Sequence, residues 1–122
     1  MKRPGAPRPA TYQLFIRVAC DRVIRVGRLG TFRFPAGRYV YTGSAARGLE
    51  ARIARHLARE KRLFWHVDYL LAAPGVRVEA VRRSTRPECA LAGSAAGTTP
   101  APGFGASDCR AGCVSHLRYL GP

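Results

Sequence analysis

The strongest constraint on the fold is the alternation that starts at Thr11, where Tyr12, Leu14, Ile16 and Val18 share one face and Gln13 and Arg17 take the other. A period of two over eight residues describes a strand half buried against a core. Short strand-like runs follow at 23–26 and 31–34, split by Gly27 and Gly30, and predict a twisted hairpin. Pro35-Ala36-Gly37 turns the chain into another strand over 38–42, with Tyr39 and Tyr41 on one face and Val40 and Thr42 on the other. The period then changes to four at Leu49, Ile53 and Leu57, which predicts a helix running to about Arg62. A second, short helix is expected over 64–73, stopped by Pro74-Gly75. Residues 76–81 read as a strand, Thr85-Arg86-Pro87-Glu88 as a capping box opening a weak helix through Ala92, 98–108 as loop and 114–120 as a last strand. Strands, then helices, then strand, helix and strand imply an α+β domain: a small, mainly antiparallel sheet flanked by helices.

The 122 residues make one domain, with 1–10 expected as a flexible basic arm and 11–122 as the folded unit. A hydrophobic content of 47% is enough to bury a core. No apolar run approaches the ~20 residues of a bilayer span, and Met1-Lys2-Arg3-Pro4 opens no secretory segment, so a cytoplasmic protein with no membrane partner is expected. Cys20, Cys89, Cys109 and Cys113 then read as thiols. Cys109, Cys113, His116 and Cys89 do not follow a common zinc spacing, and zinc is not expected.

Charge is the functional signal. Lys and Arg number 21 against 7 Asp and Glu, a net charge of +14, and all but Lys2 and Lys61 of the basic residues are arginines. A partner rich in negative charge is implied, and the guanidinium fork suits phosphate oxygens. On the first helix Arg52, Arg55, Arg59 and Arg62 fall on one arc beside the apolar stripe, with His56 at its border. With Arg47 just upstream, they form the expected nucleic-acid-binding face.

Tyr12, the stretch Tyr41-Thr42-Gly43-Ser44-Ala45 and the helix carrying Arg52, Arg55 and His56 resemble the GIY-YIG nuclease superfamily. Its most specific part is Tyr-x-Gly-Ser followed by Leu-x-x-Arg-x-x-x-His. Phe64-Trp65-His66-Val67-Asp68-Tyr69-Leu70, Glu88-Cys89, Pro102-Gly103-Phe104-Gly105-Ala106-Ser107-Asp108-Cys109 and Ser115-His116-Leu117 resemble one subgroup, often filed as a domain of unknown function. The resemblance implies a nuclease fold with a hairpin inserted between the motif tyrosines, which stand 29 positions apart. It departs from the family name in having Ala10 before Thr11-Tyr12.

That resemblance implies Tyr12 and Tyr41 as the motif tyrosines, Arg52 as the arginine that contacts the scissile phosphate, His56 as the helix histidine near the site, and Glu88 as the ligand of one Mg²⁺ or Mn²⁺. Gly43, Ser44, His66, Asp68, Ser107, Asp108 and His116 would support them. The implied activity is a metal-dependent endonuclease acting on nucleic acid, DNA rather than RNA being favoured. A binding domain of the same fold with little or no cleavage is the alternative. The residue types suit the chemistry, since phosphodiester hydrolysis needs a proton acceptor, charge on the transition state and a neutralised leaving oxygen. A tyrosine acts there when positive charge, here from Arg52 and a metal, lowers its pKa from about 10. Plain structural readings stand beside these: Tyr12 as a core tyrosine, the arginines as a solvated face, His56 as a helix border and Glu88 as the partner of Thr85 in a helix cap.

Overall fold

The computed structural model describes residues 9–45, 47–58, 62–63, 65–94, 97–105 and 115–122, the side chains of 89, 93 and 94 excepted. Arg59, Ser107, Asp108, Cys109 and Cys113, like the N-terminal arm over 1–8, lie outside that set.

The architecture is the expected α+β one. Strand β1 (Thr11–Val18) is followed by β2 (Arg22–Val26), β3 (Gly30–Phe34) and β4 (Gly37–Ser44), then helices α1 (Leu49–Leu57) and α2 (His66–Leu71), strand β5 (Val76–Ser84), helix α3 (Glu88–Ser94) and strand β6 (Leu117–Gly121). Four strands form one sheet in the order β5-β1-β4-β6, every neighbour antiparallel. The inserted chain between β1 and β4 is a separate two-stranded sheet, β2 with β3. Its Val26 and Phe34 are fully buried, which joins the hairpin to the common core. Burying side chains of that size contributes about 1.5–3 kcal/mol each.

Registers follow from the alternation. In the β1–β4 ladder Tyr12 faces Gly43, Leu14 faces Tyr41 and Ile16 faces Tyr39, so these residues line one sheet face. Helices α1 and α2 close that face with Ile53, Val67 and Leu70, all in the core cluster with Phe104 and Leu117. Two sequence expectations are corrected. Helix α1 ends at Leu57, not near Arg62, because Ala58 turns extended (φ −67°, ψ 136°). The Arg62 carbonyl then folds back to accept from Arg55 Nη2 at 2.7 Å. Helix α3 starts at Glu88, and its carboxylate bonds other elements rather than Thr85. Among the described residues no hydrogen bond joins Thr85 and Glu88 as a capping box would.

Candidate functional site

Adjacent strands and α1 bring the two tyrosines and His56 together. Tyr12 Oη lies 2.7 Å from His56 Nε2 in a buried contact. The Tyr12 and Tyr41 ring centroids are 6.3 Å apart, and the His56 ring stands edge-on to Tyr41. The sequence prepares this packing at Gly43, which faces Tyr12 across the ladder: a Cβ there would come within 2.5 Å of Tyr12 Cζ and Oη. Only a residue without a side chain lets the Tyr12 ring lie over β4 and reach His56. Gly105 plays the same part for the second tyrosine, since its added Cβ would meet Tyr41 Cε1 at 2.9 Å.

Behind His56 lies Asp68, fully buried at the start of α2. Its carboxylate accepts from Arg55 through Oδ1 (3.1 Å) and Oδ2 (3.0 Å) and from the Trp65 backbone N–H at 2.8 Å. Oδ1 also faces His56 Nδ1 at 3.6 Å. A carboxylate on that side favours the proton on Nδ1, which leaves Nε2 to accept from the Tyr12 hydroxyl. Asp68, His56 and Tyr12 thus form a buried polar row, hydrogen-bonded at Tyr12 and in charge contact at Asp68, and Arg55 anchors it rather than standing free on a basic face.

Arg52 donates from Nη1 to the Ser44 carbonyl at 2.8 Å, and its guanidinium carbon sits 4.6 Å from the centre of the Trp65 ring. These contacts hold a cation beside the tyrosines. Glu88 occupies the far side: its Oε2 accepts from the Ser44 hydroxyl at 3.0 Å and its Oε1 lies 3.2 Å from His116 Nδ1. Burial would raise the Glu88 carboxyl, but the bonds from His116 and Ser44 and the charge of Arg52 outweigh it and hold the group below its ordinary value. It is an anion at neutral pH, with its side chain 29% exposed.

The tyrosines depart from expectation. Burial pushes Tyr12 up to about 12, against the downward pull of Arg52, and pushes Tyr41 well above 10. Positive charge is present as expected, but desolvation is the larger effect.

Residues 11–122 match the family described as domain of unknown function DUF123. The chain belongs to that family. No curated protein and no solved structure matches this DUF123 chain.

Of the residues singled out in the sequence, the DUF123 fold gathers Tyr12, Tyr41, Gly43, Ser44, Arg52, His56, Asp68, Glu88 and His116. Arg55 touches this group through Asp68, whereas Arg47 and Arg62 are exposed and lie outside α1. His66 supports the loop beneath Tyr41: its Nδ1 accepts from the Gly105 N–H at 2.8 Å, and Phe104 packs against both the His66 and Tyr41 rings. Trp65 was missed as a platform for Arg52. Its place next to His66 in the quoted motif was the only available signal. Among the described residues no group of three or more His, Cys, Asp or Glu could hold a metal ion, and no helix is long and apolar enough to cross a membrane.

The His66 contact gives a pH prediction. Burial holds the imidazole below its ordinary value, so the neutral form is the one bonded to Gly105. The sign follows from linkage: this contribution to stability is complete above the unfolded pKa of about 6.5 and is lost as pH falls toward the lower folded value. Urea midpoints measured at neutral and mildly acidic pH should show an acid loss that is smaller in His66→Gln. An equal loss in the variant would assign the effect to other groups.

Proposed function

We propose that this DUF123 chain is a metal-dependent endonuclease that hydrolyses phosphodiester bonds in DNA, with a site like that of GIY-YIG nucleases. The observation that carries the reading is the pairing of Tyr12 and Tyr41 on neighbouring strands, with Arg52 and Glu88 both acting electrostatically on the two rings. An arginine, a carboxylate and two phenols around one point suit phosphoryl transfer better than acyl or redox chemistry.

Because Tyr12 is neutral at physiological pH, it works in this reading as a relay and not as a standing tyrosinate. As its oxygen takes a proton from the attacking water, its own proton passes to His56 Nε2. The Asp68 carboxylate facing Nδ1 stabilises the imidazolium that results. Arg52, fixed by Ser44 and Trp65, supplies positive charge to the phosphate. Glu88 suits a hard divalent ion, being ionised, partly exposed and next to the Ser44 hydroxyl; Mg²⁺ takes one or two carboxylates and keeps several waters. Such an ion would neutralise the leaving oxygen.

One observation favours a binding domain with little cleavage. Tyr12 is 1% and Tyr41 6% exposed, so substrate reaches them only if the covering chain moves.

The test is nicking of supercoiled plasmid by the purified chain with Mg²⁺ or Mn²⁺ and with chelator. Metal-dependent nicking is expected, and Glu88→Gln should abolish it while DNA affinity holds, because Gln keeps the shape and loses the charge. Retained binding without cleavage in either ion, on duplex, single-stranded and branched DNA, would move the assignment to the binding domain.

A further inference from the structure

The sheet face turned away from the tyrosines is set by Gln13, Phe15 and Arg17, the other half of the β1 alternation. Register places Arg77 and Arg38 on either side of Arg17, so three arginines stand in a row across β5, β1 and β4. Strands lie about 4.8 Å apart, and like charges directly opposite destabilise a sheet. One carboxylate relieves the row, Glu79, at 3.7 Å from Arg77. Among the described residues no ion pair reaches Arg17, Arg38, Arg82 or Arg118. The buried Arg118 Nε has no hydrogen-bond partner among them.

Two residues along β1, Phe15 sits between Ala80 and Val40, with Arg118 next on β6. Phe15, Gln13 and Val40 line a groove of about 650 Å³ together with Arg82, Arg86 and Leu91. Volumes of this order accommodate a small ligand or part of a larger one. The groove therefore offers an aromatic side chain and a buried amide on the same sheet face as Arg17, Arg38 and Arg82, which carry no ion pair among the described residues. A base joined to a phosphodiester chain is the ligand that uses both.

We propose that this face binds single-stranded nucleic acid, a base stacking on Phe15 while the backbone runs over Arg17, Arg38 and Arg82. Bases paired and stacked within a duplex present no free face to Phe15, so a duplex gains only the phosphate contacts. The site is separate from the tyrosine cluster, and its binding stands whether or not that cluster cleaves.

The experiment is fluorescence anisotropy of the full chain with labelled oligothymidylate of about 15 nucleotides, within the range an aromatic platform with a basic groove engages. The titration is run over a salt series, with a duplex of the same length beside it. Phe15→Leu, which keeps an apolar floor, should weaken oligothymidylate binding at least about fivefold, the low end for losing one stacked base, and leave the duplex unchanged. Arg17→Ala with Arg38→Ala should reduce the single-strand salt slope by about 1.4, near 0.7 per phosphate contact. Thermal melts confirm folding, and Arg82→Ala, at an exposed edge position, provides a second variant independent of Phe15. Unchanged affinity and slope in all the variants would overturn the proposal. So would losses that follow the arginines but ignore Phe15→Leu, which would mark the face as a general polyanion surface. Cleavage in the plasmid assay with Phe15→Leu silent removes this site alone, while absent cleavage with Phe15 dependence intact removes only the nuclease reading.

Discussion

Arg52→Ala should slow single-turnover cleavage by about 10²–10³, equivalent to roughly 3–4 kcal/mol, with little loss of DNA affinity. The magnitude is that of removing one donor aimed at charge that develops in the transition state. In the proposed mechanism Arg52, and not its neighbour Arg55 on α1, takes this role. Its Nη1 is tied to the Ser44 carbonyl at 2.8 Å and its guanidinium lies on Trp65, so it needs no reorganisation to act beside Tyr12. Arg55 is committed to Asp68. Arg52→Lys should restore only part of the rate, since an ammonium cannot hold the backbone carbonyl and the ring in the geometry of a planar fork. The comparison is made at saturating protein, with folding checked by melts. Equal rates for the wild type and Arg52→Ala would remove this residue from the mechanism and leave the binding-domain reading.

The parts legible in the sequence were those governed by short periods. Alternation at Tyr12, Leu14 and Ile16 marked the core face of β1, and Tyr39 and Tyr41 that of β4, whereas the pairing of these two strands came only with the fold. Gly27 and Gly30 marked the hairpin. What could not be read depended on partners far along the chain. Glu88 sits three residues after Thr85, and a capping box was the local solution, but Ser44 and His116 bind its carboxylate from 44 and 28 positions away. Asp68 stood in a motif with no visible partner until α2 packed it against Arg55 and His56. The continuous arginine arc failed for a related reason: it assumed a helix through Arg62, whereas the Arg62 carbonyl folds back onto Arg55 after α1 has ended at Leu57. Burial was also under-read. The sequence showed cations near Tyr12 but not the closure that pushes its hydroxyl up to about 12.

Asp68→Asn tests the buried chain behind Tyr12 and should be the most destabilising single change in the site. The carboxylate is fully buried and, among the described residues, accepts from the Arg55 guanidinium through both oxygens and from the Trp65 N–H. Removing one partner of a buried pair costs about 3–5 kcal/mol, because the other is left as an uncompensated charge. Arg55 retains 32% side-chain exposure, so water relieves part of that cost and the lower end, near 3 kcal/mol, is expected. For a domain of this size that is a fall in Tm of about 10 °C. The amide can keep the Trp65 N–H bond through its oxygen, but its NH₂ meets the Arg55 donors and loses the attraction to His56 Nδ1. The double change Arg55→Met with Asp68→Leu should recover much of the stability, since an apolar pair of similar volume replaces both charges. It should not recover cleavage, because His56 would then lack the carboxylate that stabilises its protonated form. A double variant that melts like wild type and still cuts at the wild-type rate would show that Asp68 only holds α2 to α1. Recovered melting with lost cleavage would assign Asp68 to positioning and charging His56.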